Sequence, residues 1–251
     1  MRYFIEFSYN GKAYHGWQRQ PDAITVQEKL EEGLSQLLQE SIAVMGAGRT
    51  DSGVHAKQMF AHFDCDGIKD ITMLTFKLNS FLPIDIAVHE IFEVNQDAHA
   101  RFDAVSRSYK YRVATQKSPF NYDFAYYLKQ PLDIDKMNEA CLLLFNYIDF
   151  QCFSKSNTDV KTYNCKLTKA IWTKEENELV FTISADRFLR NMVRAIVGTM
   201  INIGLGKIEV SQLNSIIESK DRNKAGYSVP AKGLYLTEVV YPEHLRKKEH
   251  E

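Results

Sequence analysis

The chain has 251 residues, 45% hydrophobic and 25% charged, with a net charge of −1. That composition suits a globular protein with a sizeable core, built as one large domain or two fused halves. The neutral balance excludes a bulk-basic nucleic-acid binder, so any polyanion must be held by local clusters.

No apolar run reaches the roughly 18 residues of a membrane span. The N-terminus lacks the basic-then-apolar pattern of a signal peptide. Cys65, Cys141, Cys152 and Cys165 form no CxxC pair. The expectation is a cytoplasmic protein, away from membranes, with buried reduced thiols rather than a disulfide framework or a structural zinc.

Residues 2–9 alternate, with Tyr3, Ile5, Phe7 and Tyr9 on one side, and Asn10-Gly11 ends the strand as a turn. Thr25, with Glu28 three residues on, is a capping box. Val26, Leu30, Leu34, Leu37 and Leu38 follow it at helical spacing. A short strand is predicted over 42–45, then a glycine-rich loop over 46–53 and a strand over 54–64. A helix over 70–80 is stopped by Pro83, and a strand over 84–94 follows.

The second half repeats this order. A strand is predicted over 106–115, a helix over 133–146, and a hairpin of 164–173 with 179–185 across Glu175-Glu176-Asn177. A helix over 187–203 ends at Gly204 as its C-cap glycine. A further helix over 211–219 precedes the last strand, 234–241. Each half is thus β-α-β-β-α-β, the split-βαβ order of an antiparallel sheet with helices on one face. The predicted fold is α+β. Two ferredoxin-like, RRM-like halves form one extended, mainly antiparallel sheet with a cleft between them. Residues 1–105 make the first half, 106–245 the second, and 246–251 a disordered tail.

Charge is segregated. Between residues 99 and 117 stand Arg101, Arg107, Lys110, Arg112 and Lys117 against the single acid Asp103. Arg187, Arg190 and Arg194 are set against Asp186, whereas Glu28, Glu31 and Glu32 and Glu175, Glu176 and Glu178 carry the acidic surplus. The pattern reads either as a basic face or as ordinary solvated surface. On the strand, Arg107, Tyr109, Tyr111 and Val113 share one side. Aromatics beside basic residues can stack unpaired bases, although sheet-core aromatics are the equal alternative. On the predicted helix the three arginines form a stripe that either grips phosphates, holds a carboxylate or faces solvent. Trp17 reads as a core aromatic, and His15, His55 and His62 as structural.

The loop Gly46-Ala-Gly-Arg-Thr-Asp-Ser-Gly53 carries the densest chemistry. It is neither a dinucleotide fingerprint, since Asp51 takes the third glycine position, nor a P-loop, since Val54-His55 stands where Lys-Ser/Thr must be. HExxH and GxSxG are absent, so metal hydrolysis and acyl transfer lack their parts. A carboxylate on a glycine-bent loop remains. It is either a nucleophile or base working without a metal, or a turn aspartate bonded to its own backbone.

GRTDSGVHA at 48–56 resembles the hallmark of the tRNA pseudouridine synthase A family. YNGKAYHGWQRQ (9–20), TVQEKLE (25–31), LNSFLPIDI (78–86), HARFDAVSRSYKYRV (99–113), FLRNMVRAIVG (188–198) and PAKGLYL (230–236) match its other blocks in order. Ser52 replaces the usual alanine.

The resemblance implies isomerisation of uridine to pseudouridine at uridines 38, 39 and 40, in the anticodon stem-loop of tRNA, by a homodimer without cofactor or metal. It implies that Asp51 is the catalytic nucleophile and Arg194 its partner. Tyr109 stacks on the base, Arg49 helps flip it out, and Leu234 packs against it. Two rivals share the scaffold: an RNA chaperone without chemistry, and a glycosidase that releases free uracil, which would ordinarily need two carboxylates flanking the bond.

Overall fold

A computed structural model describes residues 1–155 and 160–247. Among them are nine strands and five α-helices in an α+β arrangement. The chain divides into two compact units, Met1–Ser106 with the chain from Leu236 onward, and Arg107–Tyr235. No helix among the described residues is long and apolar enough to cross a membrane.

The first unit runs β1 (Arg2–Tyr9), α1 (Val26–Leu38), β2 (Met45–Gly46), β3 (His55–Asp64), α2 (Ile71–Phe81) and β4 (Ile86–Val94). β1 is central and antiparallel to both β3 and β4, and β2 pairs with β3. The alternation of β1 works as expected, burying Tyr3, Ile5, Phe7 and Tyr9. Phe4 is buried too, because Phe92, His62 and Tyr241 cover the opposite side at that point.

Thr25 caps α1 by accepting from the Glu28 amide, and Asp70 caps α2 by accepting from the Met73 amide. Each such cap stabilises its helix by about 1 kcal/mol. The helices touch where Gly33 leaves room for Leu78 and Phe81.

The predicted strand over 42–45 is corrected to Met45–Gly46. The backbone before it bonds to helix α1 instead of to a neighbouring strand. The Ile42 amide donates to Ser35 Oγ and the Val44 amide to the buried Glu31 carboxylate. Of the tail expected to be disordered, Arg246 pairs with Glu90 and Lys247 with Glu93, both on β4. Residues 248–251 lie outside the described residues.

The second unit holds β5 (Ser106–Ala114, beginning at the unit boundary), β6 (Tyr126–Tyr127), α3 (Ile134–Leu144), β7 (Leu167–Glu175), β8 (Glu178–Ala185), α4 (Met192–Gly204) and α5 (Gln212–Glu218). β8 lies between β5 and β7, antiparallel to both, and the short β6 runs parallel to β5. The β7–β8 turn passes through Glu176 in the left-handed region. The last strand, β9 (Leu234–Val240), divides between the units after Tyr235.

The helix predicted from residue 187 begins only at Met192. Asn191 has φ +68, a left-handed conformation that an α-helix cannot contain, so residues 187–190 stand outside it. Gly204 is also reinterpreted. It is the last helical residue, and the left-handed glycine is Gly206, φ +68. A Cβ at Gly204 would meet Met137 Sδ of α3 at 2.4 Å, so this glycine serves helix packing rather than capping. All four cysteines are buried thiols without disulfides, and burial pushes those of Cys141, Cys152 and Cys165 up to about 12.

Candidate active site

The loop over 46–53 is clasped by the segment that follows β1. Trp17, 3% exposed, lies under it, and a Cβ on Gly46 would strike the indole at 2.6 Å. The Trp17 amide donates to the Thr50 carbonyl (3.2 Å), and Tyr9 Oη and Thr50 Oγ1 are 2.8 Å apart. The Gly53 amide and the Ser52 hydroxyl both donate to the Tyr14 carbonyl. Gly11 abuts Val54, where a Cβ would fall 2.0 Å from the carbonyl oxygen, and its amide donates to His55 Nδ1. Gly16, φ +92, passes so close to Thr50 that a Cβ would stand 2.5 Å from its carbonyl oxygen.

The glycines of the YNGKAYHGW block therefore permit backbone to approach backbone, and the loop is held from one side along its length. Asp51 stands half-buried in this frame, its carbonyl accepting from the Val54 amide (3.1 Å). Arg49 is exposed, and beside it Gly48 faces open space, with no atom within 4 Å of a Cβ built there. A carboxylate on a clasped loop bordered by open space is a geometry that a substrate can approach without the loop having to reorganise.

The second unit carries the other expected residues. Tyr109, half-buried on β5 opposite Ile183, meets the Phe188 ring edge-on at 5.1 Å and 86°. Tyr111, on the same side, is fully buried and donates from its hydroxyl to the Pro230 carbonyl (2.8 Å), so it belongs to the core. Arg194 is half-buried in the first turn of α4, with Nε donating to the Val229 carbonyl at 2.8 Å. Leu234 is buried at the start of β9, next to Gly233, whose missing Cβ would lie 2.8 Å from Tyr111 Cζ.

Arg187 and Arg190 do not share the helix with Arg194, so the arginine stripe is corrected to a single helical arginine. Tyr109, Arg194 and Leu234 thus belong to one unit, and Arg49 and Asp51 to the other.

Sequence reasoning missed what holds Arg194. The strap over 226–230 is bonded at each residue. The Gly226 amide donates to Thr199 Oγ1, and its carbonyl accepts from Arg222. Tyr227 meets Tyr126 Oη to Oη at 3.3 Å. Ser228 Oγ accepts from Arg222 Nη2 (2.9 Å) and Asn191 Nδ2 (2.7 Å), and Val229 exchanges bonds with Arg194. The turn-forming run DRNKAG at 221–226 was the available signal, but nothing local ties it to α4. Among the described residues no group of three His, Cys, Asp or Glu side chains is placed to hold a metal.

The first unit thus holds a glycine-framed aspartate, the second a strapped arginine and a half-buried tyrosine, and comparison with known proteins gives the class to which the chain belongs. The tRNA pseudouridine synthase family matches residues 6–103 and 147–242. A tRNA pseudouridine synthase A of Parabacteroides distasonis is 55% identical over 97% of each chain, and one of Bacteroides fragilis is 53% identical over 97% of this chain and 98% of its own. A tRNA pseudouridine synthase A 2 of Clostridium perfringens is 38% identical over 94% of this chain and 98% of its own. The chain belongs to the tRNA pseudouridine synthase family.

Proposed function

We propose that this protein isomerises uridine to pseudouridine in the anticodon stem-loop of tRNA, at uridines 38, 39 and 40, as a cytoplasmic homodimer without a cofactor. Family membership over nearly the whole chain supports the reaction. The half-buried Asp51 on its clasped loop is the observation that carries the choice of nucleophile.

The reaction breaks the C1′–N1 glycosidic bond, turns the uracil and joins C5 to C1′. The C5 proton is lost and N1 gains one, so nothing is oxidised or reduced. Asp51 adds covalently to the nucleoside, at C1′ or on the uracil ring, and is released at the end. Arg194 Nε donates to the Val229 carbonyl, and in this reading the guanidinium serves as the partner that keeps the Asp51 carboxylate ionised. Extrusion of the base costs a few kcal/mol. Stacking on Tyr109, packing against Leu234 and insertion of Arg49 into the vacated stack offset that cost.

The test is incubation with an unmodified tRNA transcript and mapping of pseudouridine, with native protein and with Asp51→Ala. Pseudouridine in the anticodon stem-loop that disappears in the variant is the expected result. Free uracil in its place would indicate a glycosidase. A folded native protein that binds tRNA and forms no pseudouridine would leave only RNA binding.

A further inference from the structure

The first unit carries a second aromatic feature that the proposed reaction does not use. Phe102, in the turn between β4 and β5, is 74% exposed. A single exposed apolar side chain is ordinary on a protein surface. What sets this one apart is how firmly it is presented.

One side of the ring rests on the His99 imidazole, with centroids 4.3 Å apart and 36° between planes. His99 in turn meets His62 edge-on at 4.6 Å, and His62 lies over the buried Phe4 at 6.2 Å and 24°. Phe4, His62, His99 and Phe102 therefore form a column of rings that begins in the core and ends in solvent. The Arg101 guanidinium stands 5.8 Å from the centroid of the outermost ring.

The turn beneath the column is bonded to its surroundings at Ala98 and Ala100 and to itself at His99, Arg101, Phe102 and Asp103. Arg2 Nη1 donates to the Ala98 carbonyl (3.0 Å), and Tyr241 Oη donates to the Ala100 carbonyl (2.5 Å). The Ala100 amide donates to His62 Nδ1 (3.0 Å), and Asp103 Oδ2 accepts from the His99 amide (2.7 Å). His99 Nδ1 accepts from the amides of both Arg101 and Phe102, at 3.1 and 3.3 Å. Both imidazoles serve as acceptors at Nδ1 and so are neutral. Burial agrees with this, pushing His62 down to about 4 and His99 in the same direction.

A rigid aromatic face costs little entropy when a planar ligand binds it, because the side chain is already ordered. An adjacent guanidinium adds a planar cation that can lie on a base or neutralise a phosphate.

We propose that the Phe102 ring, backed by His99 and flanked by Arg101, is a stacking site for an unpaired base of the tRNA substrate. This base is a second one, additional to the uridine that meets Tyr109, and the inference rests on the RNA-substrate reading above. Arginine beside the ring favours RNA over a second copy of this chain, because an apolar self-contact would bury that charge.

The test measures the Kd for an unmodified tRNA transcript with Phe102→Leu, Phe102→Trp and Arg101→Gln. Phe102→Leu keeps apolar bulk and removes the π face, so it is expected to weaken binding by roughly 10-fold or more. Phe102→Trp is expected to bind as tightly as native protein. Its new indole should be quenched by tRNA against the buried Trp17 and Trp172. Arg101→Gln is expected to weaken binding and to reduce its salt dependence.

Native affinity in Phe102→Leu, or an unquenched indole in Phe102→Trp, would overturn the proposal. So would a shift from dimer to monomer in Phe102→Leu, which would assign the ring to a contact between copies. The quenching arm remains readable even where Leu lowers stability. Pseudouridine formation by native protein is scored separately. A protein that turns over tRNA yet is insensitive at Phe102 loses only this inference.

Discussion

Arg194 and Val229 exchange two bonds: Nε of the arginine donates to the valine carbonyl at 2.8 Å, and the valine amide donates to the arginine carbonyl at 3.3 Å. The pairing consumes the Nε edge of the guanidinium and limits its rotation, so the side chain is aimed by the strap rather than by α4 alone. Gly198 makes the approach possible. A Cβ there would stand 1.9 Å from the Tyr227 carbonyl oxygen. Gly198→Ala is therefore expected to lift the strap and destabilise the fold by about 3 kcal/mol, the upper end for overpacking, since backbone has no rotamer to yield. Thermal or urea unfolding reads the loss. A variant as stable as native protein would show that the strap shifts without cost.

The loop that carries Asp51 offers a second test, this time of geometry. Gly16 combines φ +92 with a Cβ position 2.5 Å from the Thr50 carbonyl oxygen, one residue before the aspartate. Gly16→Ala is expected to displace the loop and lower kcat roughly 100-fold, as a misplacement of about 1 Å does elsewhere. tRNA affinity should change far less. Equal losses in kcat and affinity would point to general unfolding instead.

Acidification should weaken the first unit through His62. Burial pushes its pKa from 6.5 down to about 4, with Arg2 and His99 acting in the same direction and Asp64 and Asp103 opposing. Below pH 6.5 the unfolded chain binds a proton that the folded protein refuses. Stability is thus full above 6.5 and declines as pH falls towards 4, by at most about 3 kcal/mol. Asp64, held down by its bonds with Arg2, adds a loss of the same sign at lower pH. His62→Gln keeps an acceptor for the Ala100 amide without titrating. Urea unfolding between pH 7 and 4.5 is expected to show a shallower decline in that variant than in native protein.

Glu178 is buried, and its carboxylate accepts from Arg112 Nε (2.6 Å) and Asn121 Nδ2 (2.9 Å). Arg112→Met would leave a buried charge with one neutral partner, and is expected to cost about 3 kcal/mol. Adding Glu178→Gln should recover part of that loss, because the orphaned charge is removed. Denaturant midpoints of the two variants decide the point, and a double variant less stable than the single one would contradict it.

Much of the element order was legible. Thr25 with Glu28, the alternation of β1 and the turn at Glu176 each depend on residues within four positions of one another, and the structure has them where they were expected. The loop of Asp51 was legible as a loop because its glycines state their own backbone demands. Errors arose where distant partners decided. Ile42 and Val44 look like a strand, but side chains of α1 take up their amides. Residues 187–190 have helical periodicity, yet Asn191 is turned left-handed, its amide group engaged by Ser228 thirty-seven residues downstream.

Family and reaction class were therefore determined by the sequence alone, because short blocks such as GRTDSGVHA carry their signal in contiguous residues, and the same block singles out Asp51 as the candidate. The tertiary structure alone decided what holds those residues still: Gly16 and Trp17 against the loop of Asp51, the strap on Arg194, and the ring column that ends at Phe102. These contacts join segments tens of residues apart. Local propensity is blind to them, because they form only when burial of apolar side chains brings the segments together.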